Sequence, residues 1–211
     1  MNEKYVINIG RQYGSGGLKI AQRLSKMLGI NYYDKKLLEI AAKKSGISEE
    51  HFAKLEEKTP SGVIGDLSGW ASSVFTGVYG NDSFLLDESL FKIQSDIIRQ
   101  IARKESCIFV GRCADYALRE HPRAANVFIC AGKEERVKNI ISAAAETAGE
   151  DKIRKAIETT DKQRAKYYNF YSSKTWGLPE SYHICLNSAA LGVEGCAETI
   201  RDFAKRKTGC K

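Results

Sequence analysis

Between Ile7 and Lys19 the chain reads Ile-Asn-Ile-Gly-Arg-Gln-Tyr-Gly-Ser-Gly-Gly-Leu-Lys. Gly14, Ser15, Gly16 and Gly17 fall between an apolar run and a helical pattern. In such a turn successive backbone N–H groups curl around an anion. The helix that follows adds its own unpaired N–H groups and the positive end of its dipole. Glycines let the backbone come close to the bound group. A turn built for packing alone would also use glycine, but four glycines with an Arg and a Ser favour phosphate. The candidate phosphate-binding residues are Arg11, Gln12, Tyr13, Gly14, Ser15, Gly16, Gly17, Leu18 and Lys19.

The turn departs from the pattern G-x-x-x-x-G-K-[ST]. With the last glycine of that pattern on Gly16, its first glycine is Arg11, its lysine is Gly17 and its hydroxyl residue is Leu18. The usual phosphate-binding lysine and the magnesium-binding hydroxyl are both missing from their places. Arg11 or Lys19 is the cation that a neighbouring position can supply.

A second concentration of chemistry lies at 151–176, where seven Lys/Arg stand against three Asp/Glu. Lys162, Arg164 and Lys166 are followed there by Tyr167, Tyr168 and Tyr171, as in a basic segment that closes over a phosphorylated ligand. Asp161 stands three residues before Arg164, a spacing at which helical side chains meet. His51, His121 and His183 are isolated and have no catalytic part. The six cysteines form no C-x-x-C pair, so a zinc site is not expected. They read as reduced thiols, with Cys107, Cys130 and Cys185 serving as small core residues.

The elements that must position these groups alternate. Tyr5–Ile9, Asn31–Tyr33, Cys107–Val110, Asn126–Cys130 and Ile184–Asn187 are short, mostly continuous apolar runs, as in parallel strands buried on both faces. Helical stripes lie between them: Ile20, Leu24, Met27, Leu28; then Leu86, Leu90, Ile93, Ile97, Ile101; then Val137, Ile140, Ile141, Ala144; and last Val193, Cys196, Ile200, Phe203. This order predicts a doubly wound α/β sandwich with a five-stranded parallel sheet. A further helix is expected from Leu37 to Lys44, and a Gly/Ser-rich flap with Trp70, Phe75 and Tyr79 over 61–82.

Composition is that of a globular protein, with 43% hydrophobic and 28% charged residues. The net charge of +7 suits polyanionic partners without choosing among them. Met1 to Ile9 carry no long apolar segment, so no signal peptide is expected, and no apolar run is long enough to span a bilayer. A cytoplasmic protein is expected, with small-molecule nucleotides as partners, no membrane, little prospect of nucleic acid, and a homodimer open.

RQYGSGG after the first strand, LGINYYDKKLLEIAA, VGRCADY after the third strand, and TDKQRAKYYNFY followed by Trp-Gly resemble, in this order, the cytidylate kinase-like family. The resemblance spans nearly the whole chain. It implies one P-loop kinase-type domain over 1–211, with 34–83 as an acceptor-binding insertion and 151–176 as a lid. It implies ATP with Mg2+, and CMP or dCMP as acceptor.

Carried over by position, Gly14-Ser15-Gly16 is the phosphate-cradling turn and Asp34 opens the monophosphate-binding segment. Arg112 of Gly111-Arg112 meets the acceptor phosphate, where a guanidinium offers two parallel donors. Asp161 and Arg164 hold the cytosine edge. Asn187-Ser188 lies near the donor adenine. Val110 stands where the related cytidylate kinases have an acid that supports magnesium, as Gly17 stands for their lysine. The competing readings are therefore a kinase, a nucleotide-sensing pseudokinase and, ranked below both, a nucleic-acid binder without a recognition motif.

Overall fold

Val6 to Ile9 have almost no exposed surface and form the middle of the protein's sheet. The computed structural model describes residues 4–34, 84–143 and 149–209, and for 84–90 the backbone only. The expected helix at Leu37–Lys44 and the flap at 61–82 lie outside the described residues. Five parallel strands, β1 (Val6–Arg11), β2 (Asn31–Tyr33), β3 (Cys107–Val110), β4 (Ala124–Cys130) and β5 (Ile184–Asn187), are arranged in the order β2-β3-β1-β4-β5. The expected parallel α/β architecture is the one found.

The described helices are α1 (Gly17–Leu28), α2 (Phe84–Lys104), α3 (Ala114–Ala117), α4 (Lys133–Ala143), α5 (Glu150–Ser172) and α6 (Ser188–Thr208). Successive strand residues face opposite ways. Ile7, Ile9, Ile108, Val110, Ala125, Val127 and Ile129 therefore share one face, and Ile20 and Leu24 of α1 pack on it with Cys196, Ala197, Ile200 and Ala204 of α6. Phe109 and Phe128 take the other face. Phe128 there meets Tyr182 with ring centroids 4.8 Å apart and the edge of Trp176 at 5.2 Å.

The chain divides into two compact units, one made of Met1–Lys35 with Arg99–Lys211, the other of Lys36–Ile98. The first holds the whole sheet. The second contributes the described part of α2 before Arg99, where Ile93 and Ile97 are buried one turn apart, as the stripe predicts.

Three readings of the periodicity need correction. β1 continues two residues past its apolar run, because Gly10 and Arg11 still pair with Phe128 and Ile129 of β4. Ile141 is 46% exposed and so leaves the α4 stripe, whose buried member among the described residues is Val137. Val193 is 36% exposed; it directly follows Gly192, whose φ of 66° and ψ of 179° break α6 just before it.

Asp115 of α3 is buried, and it accepts a hydrogen bond from the Tyr168 hydroxyl of α5 at 2.7 Å. Burial pushes its pKa up, while Tyr168 and Lys174 oppose the shift. Tyr168→Phe is expected to destabilise the fold by about 1–3 kcal/mol, because a buried acceptor loses its donor. The sign with pH follows from linkage. The lost hydroxyl favoured the ionised carboxyl, so its absence raises the folded-state pKa further above the unfolded value. The deficit is therefore full above the two raised folded-state values and shrinks as pH falls through them, above the ordinary Asp range. Thermal melts of both proteins across pH check this; an equal deficit at all pH values would contradict it.

Candidate phosphate-binding site

The carboxyl ends of β1 and β3 lie side by side, since Ile9 pairs with Val110. Beyond β1 the chain turns at 12–16 and enters α1. Gly16, in the left-handed conformation (φ 76°), is the N-cap of that helix, no side chain caps it, and no acid stands in its first turn. Ile20 N–H makes the first intrahelical bond, to Gly16 O at 3.0 Å. The N–H groups of Gly17, Leu18 and Lys19 therefore have no intrahelical acceptor and stand at the positive end of the helix dipole. Helix N-termini of this kind attract anions in general.

Several predicted site residues shape this turn with side chains already committed to it. Gln12 accepts from Ala131 N–H at 3.0 Å through Oε1, while its own N–H donates to Ile129 O at 3.0 Å. Ser15 Oγ donates to Gln12 O at 2.8 Å. Ser188 Oγ donates to Ser15 O at 2.7 Å and to Cys130 O at 3.2 Å, which fastens the start of α6 beneath the turn. Asn187 Oδ1 accepts from Ala189 N–H at 3.0 Å and caps α6. The hydroxyl of Ser188 and the carbonyl of Asn187's amide thus help to hold the turn and α6 in place.

Asp161 also has a different partner from the one expected. Oδ1 accepts from Tyr13 N–H at 2.8 Å and Oδ2 from Arg136 Nη1 at 2.5 Å. Arg136 also donates to Tyr13 O at 3.3 Å, and Asn139 Nδ2 donates to Gly14 O at 3.0 Å. The turn is therefore clamped from α4 and α5. Arg136 and Asn139 were not among the predicted residues. Their only sequence signal is a charged residue beside Val137 on the buried side of α4.

Arg11, Asp34, Arg112 and Arg164 are brought together. Arg164 Nη1 donates to Arg11 O at 3.1 Å, and its guanidinium lies over the Tyr13 ring, 5.6 Å from the centroid. Residue 11 keeps some exposed surface, but its guanidinium is packed into the protein. That desolvation, with the like charges of Arg164 and Arg112, pushes its pKa down to about 9, and Asp34 opposes the shift. Arg164 is likewise lowered, by burial and by Arg112, against the pull of Asp161. Lys19 is exposed on α1.

Arg112 sits in an unusual turn. Gly111, Arg112 and Cys113 follow one another at φ 76°, 62° and 49°. A left-handed non-glycine residue costs of order 1–3 kcal/mol and marks a place where the fold imposes a conformation. Here it carries the chain from β3 straight into α3 and sets where Arg112 leaves the backbone. Cys113 is buried, and burial pushes its thiol well above the ordinary range, so it is inert.

A magnesium ion held by protein oxygens does not fit these residues. Leu18, at the place of the hydroxyl, is 40% exposed, and Val110, at the place of the acid, is 1% exposed, and neither side chain carries an oxygen. Among the described residues no three His, Cys, Asp or Glu side chains gather into a metal site. Among the same residues no helix is long and apolar enough to cross a membrane.

Among curated proteins, none matches the chain by sequence. Among solved structures, an uncharacterised protein from Eubacterium ventriosum is similar, with 25% identity, a TM-score of 0.71, and coverage of 96% of this chain and 99% of that one. TT1252 from Thermus thermophilus is 14% identical with a TM-score of 0.58 over 96% and 98% of the two chains. A gluconokinase from Sinorhizobium meliloti is 12% identical with a TM-score of 0.52 over 98% and 97%. These likenesses are of fold, and the fold is that of the P-loop kinases. The sequence itself matches the cytidylate kinase-like family over residues 6–190 of 211, which contain the glycine turn, the strained Gly111-Arg112 turn and the basic helix described above. The chain belongs to the cytidylate kinase-like family.

Proposed function

We propose that the protein transfers the γ-phosphoryl group of ATP to a nucleoside monophosphate, with CMP or dCMP as the first acceptors to test. The observation that carries this reading is the convergence of Arg11, Arg112 and Arg164 beside an uncapped helix N-terminus. The donor phosphates lie against the N–H groups of the turn and of the first turn of α1. Arg112 holds the acceptor phosphate, and an oxygen of that phosphate attacks the γ-phosphorus. The new P–O bond forms as the bond to the β,γ-bridging oxygen breaks, and ADP leaves with that electron pair. The protein contributes position and cationic charge, which is most of what phosphoryl transfer asks. The 151–176 segment acts as the lid and 34–83 as the acceptor-binding insertion. With both Asp161 oxygens engaged, Arg164 carries the contact to the base.

Leu18 and Val110, at the places of the hydroxyl and the acid, favour a second reading, a sensor that binds nucleotide and turns it over weakly or not at all. Calorimetric titration with ATP and with CMP, alongside ADP release, separates the two. CMP-dependent ADP release establishes the kinase. ATP binding without release establishes the sensor, and binding of neither nucleotide refutes both. For the kinase, Arg112→Ala is expected to lower kcat/KM by roughly 100-fold or more, as for loss of a transition-state cation.

A further inference from the structure

The contacts of Gly17 and Gly111 have one common cause. A Cβ at Gly17 would lie 2.7 Å from Arg11 Cβ and 2.9 Å from Arg11 Cγ. A Cβ at Gly111 would lie 1.8 Å from Arg11 Nη1 and 2.9 Å from Arg11 Cζ. The side chain of Arg11 therefore leaves the end of β1, crosses the bare backbone of Gly17 and ends against the bare backbone of Gly111. Position 17 is where the P-loop pattern carries its lysine, and position 11 is where it carries its first glycine. The two residue types have changed places, and the space left at 17 is crossed by the side chain from 11.

We propose that Arg11 is the phosphate-binding cation of this site in place of the P-loop lysine, and that Gly17 and Gly111 are glycines because its side chain lies across them. The inference rests on the phosphate-binding reading above and adds the residue that supplies the charge. The exchange alters the chemistry. A lysine on α1 is a single mobile point charge, whereas Arg11 offers a planar fork that stays charged at neutral pH. It stands beside Arg112 and Arg164, and the positive charges of the three exceed what Asp34 offsets, as a polyanion requires.

The test is a reciprocal exchange, read as affinity for ATP and for inorganic pyrophosphate in the presence of a chelator, with a thermal melt of each variant. Gly17→Lys alone is expected to bind both probes more weakly, because the new side chain meets Arg11. Arg11→Gly alone is expected to lose roughly 10- to 100-fold in affinity, as for a charged hydrogen-bond partner. The double variant, Arg11→Gly with Gly17→Lys, is expected to regain most of it. Arg11→Gln, which keeps the length of the side chain, covers the case in which Arg11→Gly does not fold.

Wild-type affinity in Arg11→Gln, or a folded double variant weaker than both single variants, overturns the exchange. Pyrophosphate separates this inference from the functional one. If the wild-type protein binds pyrophosphate but not ATP, the nucleotide reading fails while an Arg11-dependent pyrophosphate affinity upholds the exchange. If it binds neither probe, both fail.

Discussion

Gly111→Ala is expected to abolish phosphate binding, a loss beyond about 100-fold in ATP affinity, and to lower stability by about 2–4 kcal/mol. Two separate costs add. At φ 76° a β-carbon is strained, a penalty of about 1 kcal/mol or more. The same β-carbon would stand 1.8 Å from Arg11 Nη1, which no pair of atoms tolerates, so the guanidinium must move. Its alternatives are poor, because Arg164 and Arg112 already crowd it with like charge. The backbone cannot yield instead, since Gly111 N–H is held by Ile9 O at 3.0 Å and Gly111 O by Ala114 N–H at 3.3 Å. Any strain that does pass into that turn re-aims Arg112, the next residue, and so reaches the acceptor subsite as well. Calorimetric titration with a parallel denaturant melt measures both losses. A folded variant that binds ATP as the wild type does would show that Arg11 does not lie against this turn.

What the chain declares in its sequence, and what it conceals, divides by the range of the interactions. Cys107–Val110 is legible as a buried strand because four successive apolar residues leave no solvent face, and all four are buried. The glycine turn is legible because its chemistry is carried by backbone groups that only glycine frees. Arg11 was nameable as a cation near the turn but not as the partner of Gly17 and Gly111. That relation depends on β1 running two residues beyond Ile9, and strand pairing with β4 imposes this where hydrophobicity has ended.

Asp161 reads as the i, i+3 partner of Arg164 by helical spacing. Its partners are instead Tyr13 N–H and Arg136, because carboxylate oxygens near a turn rich in unpaired donors find those donors first. The resemblance places Asn187 and Ser188 near the donor adenine; the structure adds that the Asn187 amide oxygen caps α6 and the Ser188 hydroxyl fastens the turn. Arg136 and Asn139 lie more than a hundred residues from the turn carbonyls they hold, and no spacing rule reaches that far.

Arg136→Ala is accordingly expected to be the most destabilising single change outside the hydrophobic core, by about 3–5 kcal/mol. Arg136 and Asp161 are paired with side chains only 10% and 16% exposed. Removing one member of such a pair leaves the other charge desolvated without its partner, which costs far more than the pair itself contributes. The carboxylate then keeps Tyr13 N–H alone, while Tyr13 O loses its guanidinium donor. Because Tyr13 and Gly14 belong to the phosphate turn, the lost stability is local to the site as well as global. ATP affinity should fall by roughly tenfold or more, the turn having to be ordered at the expense of binding.

The double variant Arg136→Met with Asp161→Leu separates charge from shape. If burial of an unpaired carboxylate is the main cost, the apolar pair recovers much of the melting temperature. It does not recover ATP affinity, since Tyr13 N–H then has no acceptor. Recovery of both would mean that the clamp acts by packing alone. Recovery of neither would mean that its hydrogen bonds to the turn outweigh the ion pair.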